Sequence, residues 1–320
     1  LLMHVLDVNR AWLYTWPEKT LTESQQDSLD ALLARRIEGH PIAHLTGVRE
    51  FWSLPLRVAP STLIPRPDTE TLIEWVLDLD LPKSARVIDL GTGTGAIALA
   101  MKSEYPSWTV EAVEFDADAC ALANLNASRL ELDIHVIHGS WFEHVAGRFD
   151  LIVSNPPYID PEDSHLSEGD VRFEPASALV AAQSGLADLF HIIDQAPDYL
   201  KPGGWLLLEH GYDQADDVCD YLRQKGFDNV QNRCDLRLRK KLSSTKPYRQ
   251  IPCIHCWLPK WQGSANATTL HSFITLIRPV KPATLTSRNG LCVLLSTLVL
   301  QGLPLKLLKS GSRSNQMIPV

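Results

Sequence analysis

The amino-acid sequence predicts an α/β fold: a doubly wound, mostly parallel sheet preceded by a small helical domain. Two observations carry this prediction. From residue 86 onward, short apolar strands alternate with helices, the order that a parallel sheet covered on both faces requires. Before that point, apolar residues recur at the helical period. The 320 residues are 45% hydrophobic and 21% charged, as is usual for a globular protein.

The first part of the chain is predicted to be helical. A helix is expected between Thr22 and Gly39, because capping residues stand at its start and glycine stands just past its end. One side of this helix carries the apolar residues Leu29, Leu32, Leu33 and Ile37. We therefore predict a helical domain over residues 1–48.

Residues 49–80 are predicted to be a linker of hairpin and helix. Residues 51–58 mix aromatic and aliphatic side chains about Pro55, which favours a short edge hairpin. A stiff, proline-rich turn follows, and either Asp68 or Thr69 is expected to cap a helix that runs to Leu77.

The chain from 81 to 235 is predicted to form repeated βα units, which place ligands at the carboxyl ends of the strands. Strands are predicted at residues 86–90, 109–113, 134–137, 149–154, 204–209 and 229–234. Helices are predicted at residues 96–102, 118–130, 186–200 and 214–225. Within the third of these helices, Pro197 is expected to kink the helix or to end it early.

Composition excludes several classes of protein. The net charge of −8 disfavours a protein that coats nucleic acid. Six scattered cysteines indicate a reducing compartment rather than a disulfide scaffold. No apolar run reaches the roughly 18–20 residues that a membrane span needs. We therefore expect a cytoplasmic protein that contacts neither nucleic acid nor membrane directly. A monomer is a further expectation.

A glycine-rich turn, Gly91-Thr92-Gly93-Thr94-Gly95, joins a predicted strand to a predicted helix. Glycine lets the backbone approach a ligand closely and turn sharply into a helix N-terminus. Glu114 ends the next strand, where a carboxylate can accept both hydroxyls of a ribose. Together these residues predict a site for a nucleoside cofactor. The glycine spacing here is Gly-x-Gly-x-Gly, whereas the dinucleotide-binding fingerprint is Gly-x-Gly-x-x-Gly. The alternative is therefore a tight turn that binds no ligand.

The sharper signal is Asn155-Pro156-Pro157-Tyr158, which follows the strand at 149–154. Two consecutive prolines stiffen the backbone and remove two N–H donors. The loop is left with carbonyl acceptors, the Asn155 amide and a flat aromatic ring, a set that suits a planar –NH₂ group. The alternative is a proline-stiffened surface loop.

At these residues the sequence resembles the release factor glutamine methyltransferases, the PrmC/HemK type of S-adenosylmethionine-dependent enzyme. The resemblance runs from residue 1 to about residue 236. The matching segments are PIAHLTG (41–47), IPRPDTE (64–70), DLGTGTG (89–95), SNPPYI (154–159), GDVRFEP (169–175) and LEHG (208–211). The Asn-Pro-Pro-Tyr loop is shared with amino methyltransferases generally, and the segments at 65–70 and 172–175 narrow the match to this family.

The resemblance implies a fold, a cofactor and a reaction. It implies a helical domain that docks a release factor, a hairpin linker and a seven-stranded, Rossmann-like methyltransferase domain over residues 81–235. The reaction would transfer a methyl group from S-adenosyl-L-methionine to the side-chain amide nitrogen of the glutamine in the Gly-Gly-Gln motif of peptide chain release factors.

Site roles follow from the same resemblance, residue by residue. The cofactor would be wrapped by the glycine-rich loop, which consists of Gly91, Thr92, Gly93, Thr94 and Gly95. Glu114 would hold the ribose of the cofactor, and Trp141 would lie beside its adenine. Asn155 would contact both cofactor and substrate. Asn155, Pro156, Pro157 and Tyr158 would bind the substrate glutamine, and Asn155, Pro156 and Tyr158 would form the catalytic slot.

Three departures from the family are visible. Glu114 stands where the family usually has Asp, and Ser140 stands where it usually has an acid before the aromatic residue. The chain begins inside a predicted helix, so the family's first helix is expected to be missing.

Two other functions fit parts of the sequence. The slot would also suit an adenine-N6 or other exocyclic amine of nucleic acid. Residues 1–235 oppose this alternative, because they contain all 38 acidic residues and only 17 of the 30 basic ones. The other alternative is an inactive remnant that still binds a release factor.

Residues 236–320 differ in composition from the rest, with 13 basic and no acidic residues. Cys253, His255 and Cys256 lack a second paired unit, so no metal site is expected. In the family, an antiparallel strand follows near this point and closes the sheet, and no such strand follows here in register. We therefore expect an out-of-frame reading of the gene's end rather than a native domain. The alternative is that a segment such as 273–277 replaces the missing strand.

Overall fold

The computed structural model describes residues 1–234 and 272–279. Four helices form the N-terminal region: α1 (Leu2–Leu6), α2 (Arg10–Thr15), α3 (Glu23–Ile37) and α4 (Ile42–Thr46). The helix predicted between Thr22 and Gly39 is confirmed as α3. It begins with a capping box, in which the Thr22 side chain accepts from the backbone of Gln25 and the Gln25 side chain accepts from Thr22.

The apolar side of α3 is only partly covered. None of its residues is buried in the described part of the chain. Leu29 and Leu32 are half-buried, whereas Leu33 is 41% exposed and Ile37 is 86% exposed. The spacing therefore predicted the helix correctly but did not predict which of the four residues would be covered.

The predicted hairpin is confirmed as β1 (Val48–Phe51) and β2 (Leu54–Arg57). Its turn is Trp52 and Ser53, both with positive φ (50° and 60°), and Pro55 lies inside β2 opposite Glu50. A short 3₁₀ turn then leads into α5 (Glu70–Leu77).

The expectation of a side-chain cap on α5 is wrong for Thr69. Thr69 occupies the N-cap position but makes no cap hydrogen bond. Its hydroxyl instead accepts from Asn155 Nδ2 at 3.3 Å, because the turn faces the loop that follows β6.

The seven-stranded sheet has the order β5-β4-β3-β6-β7-β9-β8. Its strands are β3 (Arg86–Leu90), β4 (Thr109–Glu114), β5 (His135–His138), β6 (Phe149–Ser154), β7 (Leu200–Gly211), β8 (Phe227–Cys234) and β9 (Ser272–Pro279). All pairings from β5 to β7 are parallel, and β9 is antiparallel to both of its neighbours. The predicted doubly wound α/β fold is confirmed.

Helices cover both faces of the sheet. They are α6 (Ala96–Glu104), α7 (Ala117–Leu130), α8 (Ala187–Tyr199) and α9 (Ala215–Gln224). Successive strand side chains point to opposite faces, so Val87 packs in the cluster that includes α5, α6 and the hairpin, while Ile88 packs in the cluster that includes α8 and α9. Both side chains are fully buried. No helix of the described residues combines the length and apolar character needed to cross a membrane.

Pro197 was predicted either to kink its helix or to end it early, and the early end is wrong. The helix α8 continues through Pro197 to Tyr199. A proline inside a helix costs about 3 kcal/mol. The buried apolar face of α8, which includes Leu189, Ile192 and Ile193, supplies packing that offsets this cost.

The expectation that no strand closes the sheet is also wrong. Strand β9 (Ser272–Pro279) lies between β7 and β8, pairing with Leu206 to Gly211 on one side and reaching Phe227 and Cys234 on the other. The alternative, in which the segment 273–277 replaces the strand, is the one that the structure supports. Residues 235–271 and 280–320, which include Cys253, His255 and Cys256, lie outside the described residues. The out-of-frame origin of the tail therefore stays a prediction.

The position of β9 generates a prediction about stability. A chain that ends after Cys234 should unfold at a much lower temperature than the full chain, or without cooperativity. Without β9, backbone groups of β7 and β8 lose their partners, at about 1–3 kcal/mol for each that stays buried. Domains have only about 5–15 kcal/mol of total stability. Thermal unfolding followed by circular dichroism measures the effect.

A chain that ends after Lys281 is the matched control, since it keeps β9 and should unfold like the full chain. Equal midpoints for the two shortened chains would show that β9 does not close the sheet.

Candidate active site

Three neighbouring strands end at the same edge of the sheet and bring the candidate residues together. Leu90, the last residue of β3, lies opposite Val113 of β4 and opposite Ser154 of β6. The Ser154 hydroxyl donates to the Leu90 carbonyl at 2.7 Å. The loops that follow β3 and β6 therefore start side by side.

The glycine-rich loop adopts the backbone that glycine permits. Gly91, Gly93 and Gly95 have φ of 70°, 56° and 83°, in the left-handed region that other residues adopt at a cost. A Cβ on Gly93 would meet no atom within 4 Å, so there is open space in front of this residue. The loop leads directly into α6, whose N-cap is Gly95.

Glu114 folds back onto this loop. Its carboxylate accepts from the backbone N–H of Gly93 at 2.8 Å and of Asp116 at 3.0 Å. A carboxylate offers about four lone-pair sites, so two remain for the two hydroxyls of a ribose. The longer side chain, compared with the Asp usual in the family, reaches the loop backbone.

Asp89 braces the loop from inside the protein. Its buried carboxylate accepts from the Thr92 hydroxyl at 2.6 Å and from the Ala98 N–H at 3.2 Å. Burial raises the pKa of Asp89 to about 7, and the two hydrogen bonds oppose this effect. The residue thus joins the loop to α6.

Asn126 on α7 ties the loop to the hairpin. This buried side chain accepts from the Arg57 N–H at 2.7 Å and donates to the carbonyls of Arg57 (3.0 Å) and Thr94 (2.9 Å). The sequence reasoning missed Asn126, because its partners lie 69 and 32 residues away.

A second contact links the turn before α5 to the segment after the Asn-Pro-Pro-Tyr loop. Arg66 Nη2 lies 2.6 Å from Glu174 Oε1, and the Glu174 side chain is completely buried while that of Arg66 is 32% exposed. Burial raises the pKa of Glu174 to about 7 although Arg66 lowers it. This buried contact lies within the two sequence segments that were expected to be specific to the family.

These elements surround a cavity of about 300 Å³, within the size range of small-molecule sites. Of the predicted site residues, the cavity is lined by Gly91, Thr92, Gly93, Thr94, Glu114, Trp141, Asn155 and Pro157. Gly95, Pro156 and Tyr158 are not among the lining residues. The structure therefore brings the predicted cofactor and substrate loops to one cavity.

Several lining residues were not predicted. Phe115 follows Glu114, lines the cavity and is 71% exposed. Asp188 lines the cavity from the first turn of α8, where burial raises the pKa of its carboxyl. Thr69 and Arg66 also line the cavity. Two signals were available in the sequence: Phe115 follows a strand-ending acid, and Arg66 and Thr69 belong to the matching segment at 65–70.

Comparison with known proteins identifies this arrangement. Residues 68–185 match the family described as methyltransferase small domain, and residues 1–47 match the PrmC N-terminal domain. Among solved structures, the hMettl16 catalytic domain in complex with MAT2A 3'UTR hairpin 1 has a TM-score of 0.52 at 18% identity, over 76% of this chain and 80% of that one. That likeness shows the shared fold. The fold and site together define an S-adenosylmethionine-dependent methyltransferase.

Two curated relatives are much closer in sequence. The release factor glutamine methyltransferase of Aliivibrio fischeri is 51% identical over 238 residues, covering 73% of this chain and 84% of the relative. The protein of that name from Shewanella oneidensis is 53% identical over 265 residues, covering 82% and 88%. The chain belongs to the release factor glutamine methyltransferase family. Because residues 1–235 make up less than three quarters of the chain, the Shewanella match must include residues of the tail.

The open space at Gly93 generates a prediction. Gly93→Val should abolish binding of S-adenosylmethionine, because a branched side chain disfavours φ of 56° and would fill the space that the cofactor needs. Isothermal titration calorimetry measures the binding. The matched control is Gly169→Val, which has the same φ of 56° and nothing within 4 Å of its Cβ, but lies outside the cavity lining. Unchanged cofactor affinity in Gly93→Val would remove the loop from the site.

The raised pKa of Glu174 generates a prediction about pH. Between about pH 4.5 and 7 the folded state keeps a proton on Glu174 that the unfolded state releases, so stability falls as pH rises and levels off above 7. Glu174→Gln removes this effect. The variant should gain stability relative to the natural chain across that window, on the order of 3 kcal/mol.

Chemical denaturation at several pH values measures the difference. Glu168→Gln, at an exposed position nearby, is the control and should follow the natural chain. A Glu174→Gln curve parallel to that of the natural chain would show that this carboxyl does not titrate in the window.

Proposed function

We propose that this chain transfers the methyl group of S-adenosylmethionine to the side-chain amide nitrogen of the glutamine in the Gly-Gly-Gln motif of peptide chain release factors. The observation that carries the proposal is the single cavity lined by both Gly91–Gly93 and Asn155, in a chain about half identical to proteins named for this reaction. The release factor is the proposed protein partner, with residues 1–48 as the docking domain. A monomeric state and a cytoplasmic location stay predictions.

The residues present fit the cofactor. In the proposed arrangement the glycine-rich loop wraps the methionine end, where the space beside Gly93 is open. Glu114 holds the ribose with its two remaining lone-pair sites. Trp141, whose ring lies about 3.5 Å from the position of a Cβ on Gly91, forms the wall beside the adenine. When bound, the cofactor supplies a sulfonium methyl group, which is strongly electrophilic.

The Asn-Pro-Pro-Tyr loop supplies acceptors for an amide –NH₂ group. Asn155 Nδ2 donates to Thr69, so its Oδ1 atom is left to accept from a substrate. In the described part of the chain the Pro156 carbonyl receives no hydrogen bond, which leaves a second acceptor beside it. These two oxygens would hold the two protons of the glutamine amide.

An amide nitrogen is a poor nucleophile, because its lone pair is delocalised into the carbonyl. The main task of the site is therefore alignment for an in-line displacement, in which the nitrogen–carbon bond forms as the carbon–sulfur bond breaks. Hydrogen bonds from the amide to Asn155 and Pro156 would also stabilise the positive charge that develops on nitrogen. The proton then leaves to water, and S-adenosylhomocysteine is the second product.

An exocyclic amine of nucleic acid would fit the same two acceptors. The excess of acidic over basic residues in 1–235 opposes this alternative. An inactive remnant that binds a release factor would leave the cavity without a cofactor. Calorimetry with S-adenosylmethionine distinguishes that alternative from an enzyme.

The proposal predicts the methylated product. The chain should methylate a recombinant release factor, detected by mass spectrometry as a gain of one methyl group on the Gly-Gly-Gln glutamine. A release factor with Gly-Gly-Ala should gain none, and neither should duplex DNA offered in the same buffer. Methylation of the DNA, or of the Gly-Gly-Ala protein at an equal rate, would contradict the proposed substrate.

The same assay tests the slot. Asn155→Ala should lower turnover by about 30- to 1,000-fold, corresponding to about 2–4 kcal/mol of transition-state stabilisation. Asn124→Ala is the matched control, because Asn124 is exposed on α7 away from the cavity lining. A normal rate in Asn155→Ala would place the slot elsewhere.

A further inference from the structure

Gln214 is a buried polar residue that the proposed mechanism does not use. It lies between the end of β7 and the start of α9 and is only 7% exposed. It occupies the N-cap position of α9, where Ser, Thr, Asp or Asn is usual, and its side chain makes no cap hydrogen bond. Its amide group serves other partners.

The Gln214 side chain joins three separate segments. Its Oε1 atom accepts from the Gly211 N–H at 2.8 Å. Its Nε2 atom donates to the Tyr158 carbonyl at 2.9 Å and to the Ser184 carbonyl at 3.1 Å. Both amide protons and the amide oxygen are therefore used, as a buried amide requires. Tyr158 belongs to the Asn-Pro-Pro-Tyr loop, so Gln214 holds the backbone of the proposed substrate slot.

The turn that Gln214 also holds is strained. Gln183, Ser184 and Gly185 all have positive φ, at 55°, 54° and 82°. Residues other than glycine persist in this region where their surroundings fix them, and such residues concentrate at functional sites. A Cβ on Gly185 would overlap the Tyr158 carbonyl and approach Gln214 Nε2 to 2.6 Å. The turn is thus packed directly against the slot and against Gln214.

Further contacts extend this arrangement to the cavity wall. The Tyr158 hydroxyl donates to Glu209 Oε1 at 3.2 Å, so Tyr158 is held at its hydroxyl by β7 and at its carbonyl by Gln214. The Ile159 N–H donates to the Leu179 carbonyl at 2.9 Å, and the Ile159 carbonyl accepts from the Ala181 N–H at 3.1 Å. Ser177 and Ala178, next to this bridge, line the cavity. Fixing Tyr158 therefore also fixes a segment that lines the cavity.

We propose that Gln214 is a positioning residue for methyl transfer: through the Tyr158 and Ser184 carbonyls it fixes the Asn155–Tyr158 slot against the 177–186 segment. The inference rests on the proposed function, because it concerns the same slot. Gln214 does not line the cavity, so it acts through the loop and not by contact with the reacting atoms.

Gln214→Leu tests this role, because leucine keeps a similar size and removes all three hydrogen bonds. Turnover with a release factor should fall at least tenfold, while affinity for S-adenosylmethionine should change less than twofold, because the proposed cofactor residues lie on β3, β4 and their loops. Gln224→Leu is the matched control, since Gln224 is exposed at the end of α9. Normal turnover in Gln214→Leu overturns the proposal, and so does an equal loss of turnover and cofactor affinity.

Gln214→Glu gives a second readout that a purely structural role would not move. A neutral glutamic acid can still donate to the Tyr158 carbonyl, whereas the ionised form faces two carbonyl oxygens and repels them. Burial raises the pKa of a carboxyl, so turnover relative to the natural chain should rise several-fold as pH falls from 8 to 6. A ratio independent of pH, in a variant that still binds the cofactor, contradicts the proposal.

Hydrogen exchange separates this proposal from the proposed function. In Gln214→Leu, the amides of Ile159 and Ala181, which bridge the two segments, should exchange at least tenfold faster than in the natural chain. Amides of β3 should stay unchanged. Faster exchange at these two amides would support the positioning role whatever the substrate is. If the natural chain methylated no release factor, that result would count against the proposed substrate and not against the positioning role. Unchanged exchange at Ile159 and Ala181 would overturn the positioning role whatever the substrate.

Discussion

The pairing of β3 with β6 is the constraint on which the rest of the site depends. The two strands run parallel in the centre of the sheet, and their last residues, Leu90 and Ser154, lie opposite each other. The Ser154 hydroxyl fixes this end of the pair by its 2.7 Å hydrogen bond to the Leu90 carbonyl. Because parallel neighbours end at one edge, the glycine-rich loop and the Asn-Pro-Pro-Tyr loop open onto one cavity. A shift of one residue would turn every side chain of one strand to the other face.

Buried polar side chains then hold each loop in place. Asp89 and Asn126 connect the glycine-rich loop to α6 and to the hairpin, and Gln214 connects the slot to β7 and to the turn before α8. Such groups are costly to bury, as the raised pKa of Asp89 shows. The amide groups of Asn126 and Gln214 each make three hydrogen bonds, which leaves the loops that they hold few other arrangements. These side chains act where alignment is the proposed source of catalysis.

The parts of the site that were predicted from sequence are local in the chain. Gly91 is recognisable because it follows a strand, Glu114 because it ends the next strand, and Asn155 because two prolines follow it. Asn126 was missed because its partners lie 32 and 69 residues away, and Gln214 because its partners at Tyr158 and Ser184 lie 56 and 30 residues away. Pro197 misled the prediction because packing offset its local preference. Strand β9 was misjudged because pairing with β7 and β8, and not its place in the chain, determines where it lies.

The central claim is that cofactor and substrate meet between these two loops. A crystal structure of the chain with S-adenosylhomocysteine and a release-factor peptide containing Gly-Gly-Gln tests it most directly. The account predicts the ribose hydroxyls on Glu114 and the glutamine side-chain nitrogen within hydrogen-bond distance of Asn155 Oδ1 and the Pro156 carbonyl. A glutamine bound outside this cavity, or one whose amide nitrogen faces away from Asn155, would contradict the account.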